Sequence, residues 1–467
     1  AESFSSGFSR IRSVNILNGY SVNDATDLYE KAQLDGIISG SVFTNRTDLE
    51  SAIDLWFNNK ESALEHYGTI NDWDVSAIDD MSNLFEANTT FNEDISSWDV
   101  SNVTDIGYMF NGATAFNQSL NDWNTSNVSN MKAVFKEATS FNGYISNWNV
   151  SKVTDMALMF QSATAFNQDI SGWDVSENKW FVSTFYLASS FNQPLNNWNV
   201  SSVISTNAMF RNASSFNQPL NSWNLLSATN IGYMFANAIE FNQDISGWDV
   251  SKVTHFELTF HGANKFNQPL NSWNVSSAVT MKNMFAYTYP FNQPIDSWDV
   301  SKVTDMYNMF VDTSLNQPLN NWNVSKVANM QGVFYMADSF NQPLNNWDVS
   351  SVTTIRGMFN NADKFDQNIS NWNVSKVINF VNYGVLSGHS DSMFTSSSEY
   401  YFTLNITPLT NSNIQAAVDS ALNNGNSVNE YGGHISNWDV SQVTNMSQLF
   451  KNKTTFNEDI SSWDVSN

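Results

Sequence analysis

The sequence predicts an α/β solenoid: a curved stack of 25-residue coils, each with one short strand and one short helix, behind a helical N-terminal cap. Three observations carry this. Fifteen of the 17 tryptophans fall on one ladder. Each unit holds two apolar periodicities in a fixed order. A helical pattern precedes the first unit.

The ladder runs Trp73, Trp98, Trp123, Trp148, Trp173, Trp198, Trp223, Trp248, Trp273 and Trp298 at steps of 25, then Trp322 after a step of 24. Trp347 and Trp372 resume it, and Trp438 and Trp463 repeat it after an interruption. These tryptophans are read as a structural core ladder rather than as sugar-stacking platforms. Within a unit, Ile95, Trp98, Val100 and Val103 have leucine-rich-repeat-like spacing, with a short strand at Trp-Asp-Val. Ile106, Met109, Phe110 and Ala113 then fall at i, i+3, i+4 and i+7, which predicts a short helix. Thr104 would be its N-cap, and Asp105 would face the positive end of its dipole. Phe116 plugs the return to the next coil. Later units place Pro194, Pro219, Pro269, Pro294, Pro318 or Pro343 at that turn, where no ladder hydrogen bond is needed. One coil cannot bury a core alone, whereas stacked coils make a continuous one. Slight irregularities are expected at Glu177-Asn178-Lys179-Trp180 and at Thr313-Ser314-Leu315, where a residue is missing.

The remaining elements order the chain into segments. Residues 1–44 form an N-terminal segment that could be half of a joint, and 45–69 a helical cap. About 13 coils occupy 70–380. The cap is one helix over 47–68, with Leu49, Ile53, Trp56, Phe57 and Leu64 on its apolar face and Gly68 as terminator. Residues 381–409 form a joint with strand character at 400–407. Residues 410–467 repeat the cap and the first coils of a second module. Ile414, Val418 and Leu422 fall 365 residues after Leu49, Ile53 and Phe57, and Thr454 through Asn467 is identical to Thr89 through Asn102. The sequence stops in mid-coil, which suggests a fragment of a longer chain or completion by another subunit. It opens on Ala1, which fits a mature secreted chain.

Composition excludes several functions. With 20 Lys+Arg against 45 Asp+Glu and a net charge of −25, no basic stripe can form for nucleic acid or anionic lipid. The absence of cysteine removes disulfides, thiolate metal sites and Cys nucleophiles. No stretch approaches the roughly 18 apolar residues of a membrane span. His255 and His261, six apart, suit no common zinc motif, and no nucleophile or phosphate-binding fingerprint occurs. The chain is therefore read as non-enzymatic. No cofactor is expected, with calcium at joints between modules kept as the one alternative for so acidic a chain.

Candidate sites follow from the repeat. The Asn after each plugging Phe, from Asn92 and Asn117 to Asn292, is read as an internal ladder satisfying backbone groups, in preference to a binding ladder. Asp99, Asn124, Asn149 and Asn199 are candidate contacts on the concave face, because residues beside the core Trp point the other way. Of the many glycosylation sequons, Asn45, Asn88, Asn212 and Asn405 are the loop candidates.

The pattern Trp-(Asp/Asn)-Val-Ser-x-Val-Thr-x-Met-x-x-Met-Phe-x-x-Ala-x-x-Phe-Asn-Gln-(Pro/Asp)-(Leu/Ile), over roughly 70–380 and 434–467, closely resembles the bacterial surface protein 26-residue repeat of the BspA-like leucine-rich-repeat surface proteins. That resemblance implies a secreted or surface-anchored adhesive or structural protein without catalytic residues. The step here is 25 rather than 26 and no anchor motif is present. Repeated caps and joints favour an extracellular protein that self-associates head to tail into a filament or surface layer. The alternative is an adhesin holding a protein or glycan on the concave face.

Overall fold

The computed structural model describes residues 40–369, 371–377, 409–423 and 435, and all of 438–465 except 439, 455, 458, 459, 462 and 464. The expected joints at 1–44 and 381–409 lie outside the described residues except for 40–44 and Leu409. The described residues fall into two compact units: 40–228 with 234–243, and 229–233 with the part from 244 onward.

In the first unit, helix α1 (Arg46–Asn58) starts at Asn45, whose side chain accepts the Asp48 N–H. Leu49, Ala52, Ile53 and Trp56 form its buried face. The single helix expected over 47–68 is broken. Asn59 has φ −158° and ψ 83°; its N–H closes α1 on the Leu55 carbonyl and its side chain opens α2 (Lys60–Tyr67) by accepting from Ser62. Asparagine competes for nearby backbone donors, so the Asn58-Asn59 pair makes a cap instead of a helical turn. Gly68, at φ 81°, ends α2. The pair covers the first repeat. Trp56 meets Trp73 edge-on at 5.7 Å and Phe57 meets Phe91 at 5.8 Å. Arg46 pairs with Asp80 at 2.7 Å and Lys60 with Glu93 at 2.8 Å.

Among the described residues the repeats do not contain the expected strand and helix. The α-helices among them are α1, α2 and one further helix near residue 414, and Trp-Asp-Val forms no strand, its one backbone pairing being the isolated parallel bridge of Asp74 to Val42. In the unit of Trp98, the N–H groups of Ile106, Tyr108, Phe110 and Gly112 donate to the carbonyls of Asn130, Lys132, Val134 and Lys136 in the next unit, at 2.7–3.2 Å. The intervening N–H groups of Met109, Asn111 and Ala113 turn back to the carbonyls three residues earlier. Alternate amides thus serve the neighbouring unit and the local turn, whereas a helix would spend them all on itself. Tyr108 at φ 59° and Gly112 at φ 73° reverse the backbone twice, which no α-helix allows. The i, i+3, i+4, i+7 spacing still marks the core: Ile106, Met109, Phe110 and Ala113 are fully buried. Thr104 does not cap a helix; its N–H and Oγ1 donate to the Asp79 carbonyl of the preceding unit. Asp105 accepts the Gly107 N–H at 2.7 Å and forms a parallel bridge to its neighbours, Asp80 and Asn130.

Inside this wall the tryptophans stack at 6.3–6.4 Å from Trp123 to Trp198. Each indole N–H reaches a carbonyl one unit back: Trp123 to Ile95, Trp148 to Leu120, Trp198 to Ile170. Phe110 lies 4.1 Å from Phe116 and 5.5 Å from Phe135, so two phenylalanine columns run beside the tryptophans. Burial of each such side chain contributes about 1.5–3 kcal/mol. The irregularity at 177–180 leaves the bridges intact through Asp155, Trp180 and Ser205, and Trp180 stands 39% exposed outside the tryptophan column.

The second unit repeats this organisation. Bridges join His255, Thr280, Asp305, Asn329 and Thr354 in series. The 24-residue unit keeps the ladder: Met306, Asn308, Phe310 and Asp312 donate to Asn329, Gln331, Val333 and Tyr335 at 2.8–3.0 Å. Leu315 is fully buried where other units have Phe. Helix α3 (Ile414–Asn423) buries Ile414, Ala417, Val418 and Ala421 against Trp438, Val440 and Leu449. Asn411 accepts the Thr444 and Asn445 N–H groups, at positions 365 residues after Arg46 and its partner Asp80.

Candidate functional site

The four candidate contacts are exposed, but their side chains already have partners. Asp99, Asn124, Asn149 and Asn199 each accept the N–H two residues on, from Ser101, Ser126, Ser151 and Ser201, at 3.0–3.2 Å. These are Asx turns, and they explain why only Asp or Asn follows the tryptophan. The Ser101 hydroxyl and then its N–H hold the Asp99 carboxyl below the usual carboxylate range. Asp174, Asp249, Asp299 and Asp348 are lowered in the same way. Aspartate does the same at the other turn: where proline is absent, Asp94, Asp169 and Asp244 each accept a serine N–H at 2.9 Å.

The asparagine column is a hydrogen-bonded ladder. The Asn117 N–H donates to Asn92 Oδ1 at 2.9 Å, Asn142 to Asn117 at 2.7 Å, and Asn167, Asn192, Asn217 and Asn242 continue it at 2.9–3.0 Å. In the second unit it passes from Asn267 through Asn292, Asn316 and Asn341 to Asp366. The following Gln side chain often adds a second donor, as Gln193 does to Asn167 Oδ1 at 3.0 Å.

The sequons sit in different settings. Asn45 is exposed, yet its amide caps α1 and donates to Asp48 at 2.7 Å. Asn88 and Asn212 are half-buried; their oxygens accept from Thr90 and Asn237. Asn405 lies outside the described residues. The fifteen ladder tryptophans are all buried. Among the described residues no group of three or more histidines or carboxylates gathers as a metal would need, and no helix is long and apolar enough to cross a membrane.

The sequence reading passed over one place. A shallow recess of about 670 Å3 lies over the 24-residue unit, lined by Ser314 and Asn316, by Asn292 on one side, and by Ser339, Asn341, Asp363, Lys364 and Asp366 on the other. The residue missing between Ser314 and Leu315 is the one that other units place at this corner, so the shortened Trp298–Trp322 step was its signal. Nearby, burial first and then the carboxylates of Asp363 and Asp312 raise the Asp338 carboxyl above its ordinary value.

A protein-family model described as "Mycoplasma protein of unknown function, DUF285" matches the chain five times, over residues 47–152, 141–239, 217–314, 291–385 and 389–467. No curated protein matches the chain.

Proposed function

From the premise that the chain belongs to the DUF285 family, as tandem repeats of it, we propose that it is an extracellular structural repeat protein of the BspA-like type. In this reading it is a solenoid, non-enzymatic, that joins end to end into a filament or surface layer. The observation that carries it is the recurrence of the capped start. Helices α1 and α2 cover the repeat of Trp73, and α3 packs on the repeat of Trp438, 365 residues later. Repeat arrays gain their stability from neighbour contacts, so modules with matching starts lend themselves to head-to-tail assembly.

Negative-stain electron microscopy of the native material tests this. Regular fibres with an axial repeat are expected; discrete particles at every concentration would overturn the structural reading. A second reading, an adhesin for a protein or glycan partner, is favoured by Trp180 and Leu187, exposed at 39% and 36% in one repeat of a largely polar surface. Asp99, Asn124, Asn149 and Asn199 remain exposed in that reading, though with their oxygens committed to turns.

A further inference from the structure

We propose that the recess over the 24-residue unit is a binding site for a neutral, hydroxyl-rich glycan. Its volume of about 670 Å3 lies within the range of small-ligand sites, about 300–1,000 Å3. All eight lining residues carry polar groups, yet the surface they present mixes polar with apolar atoms, as a sugar ring does with its hydroxyls and C–H groups.

The donors and acceptors are placed for hydroxyl groups. Asn292, Asn316 and Asn341 each use Oδ1 to accept two donors along the column, the N–H of the next unit and a Gln amide. That pattern fixes which end of each amide faces inward. Their Nδ2 groups donate to no other described residue, so three consecutive units offer free N–H donors at this corner. Asp366 supplies acceptors, and Ser314 and Ser339 can do either. A sugar hydroxyl both donates and accepts, and such a mixed row satisfies it in both roles. Asp363 and Asp366 outweigh Lys364, which disfavours an anion. Tyr289, 62% exposed, is tied to the lining through its backbone, its carbonyl accepting the Ser314 N–H at 2.8 Å. A glycan that extends from the recess over this exposed ring meets an apolar face with a polar tip. The 24-residue unit lacks a residue between Ser314 and Leu315, at the edge of this recess.

This site needs no end-to-end assembly, and its test is separate from microscopy. The full chain is applied to an array of neutral and of carboxylated oligosaccharides. The wild type is expected to retain at least one neutral oligosaccharide. Affinity for it should fall at least about tenfold, the scale of one charge-assisted contact, in three variants. One inserts Ser between Ser314 and Leu315 and fills the recess. Tyr289→Ala removes an exposed ring. Asp366→Asn restores the column's own residue, exchanging one carboxylate oxygen for an N–H donor and removing the charge. The last two alter surface atoms and should leave the thermal melt unchanged, so they decide the matter even if the insertion misfolds. Retention of carboxylated glycans alone, retention of none, or equal retention by Tyr289→Ala and Asp366→Asn would overturn the proposal.

Discussion

Replacing Asn167 by Ala should loosen the turn of the next repeat, whereas replacing it by Asp should not. Asn167 Oδ1 accepts the Asn192 N–H at 2.9 Å and Gln193 Nε2 at 3.0 Å. Alanine removes both. The Asn192 N–H is half-buried and has no second acceptor at hand, which costs about 1 kcal/mol; the Gln193 bond adds at most about the same, because that side chain can turn to water. The sum is about 1–2 kcal/mol, or about a 5–30-fold change in the opening equilibrium. Aspartate keeps both acceptor contacts, and no described residue uses the Asn167 Nδ2. Because stability in a repeat array is local, hydrogen exchange is the assay, followed by mass spectrometry on peptides spanning 188–198. Exchange there should quicken about 5–30-fold in Asn167→Ala, stay within about twofold of wild type in Asn167→Asp, and be unchanged in peptides from the repeat of Trp98. Unchanged protection in Asn167→Ala would refute the structural account of the ladder and favour the binding-ladder reading instead.

Two further predictions test the turn chemistry. Gly112, at φ 73°, leaves a new Cβ no closer than 3.4 Å to Ala87, so Gly112→Ala should lose about 1–2 kcal/mol through backbone strain alone. Gly172→Ser, at an ordinary φ with nothing within 4 Å, should be neutral in the same thermal melts; equal losses would refute this assignment. The carboxyls of Asp99, Asp174, Asp249, Asp299 and Asp348 are lowered by serine hydroxyls and N–H groups in the folded chain. Their stabilisation is full above the unfolded value of about 3.9 and is lost as pH falls through the folded values. Changing all five to Asn preserves the turns and should move the acid unfolding midpoint, followed by circular dichroism, to lower pH. Asp338 has the opposite sign: its carboxyl is raised, so Asp338→Asn should stabilise the chain at neutral pH and make no difference once the carboxyl is protonated.

The period, the buried positions and the existence of both caps were legible in the amino acids. Stacking imposes one spacing on Trp, Val, Met and Phe, and a repeated sequence displays that spacing many times. The asparagine ladder was legible for the same reason. The local conformation was not. Ile106, Met109, Phe110 and Ala113 have helical spacing, but consecutive turns with left-handed residues at Tyr108 and Gly112 bury the same positions. Side-chain spacing reports which residues face the core, not where their amides go. That was decided by the next repeat, whose carbonyls at Asn130, Lys132, Val134 and Lys136 take the donors a helix would have used. Local side-chain chemistry decided two other points: Asp99 and its equivalents spend an oxygen on the N–H two residues on, and Asn59 caps a second helix instead of continuing the first. The recess over the 24-residue unit is tertiary in origin as well. Its lining comes from four repeats, Asn292, Ser314 with Asn316, Ser339 with Asn341, and Asp363 with Lys364 and Asp366, which only stacking brings together.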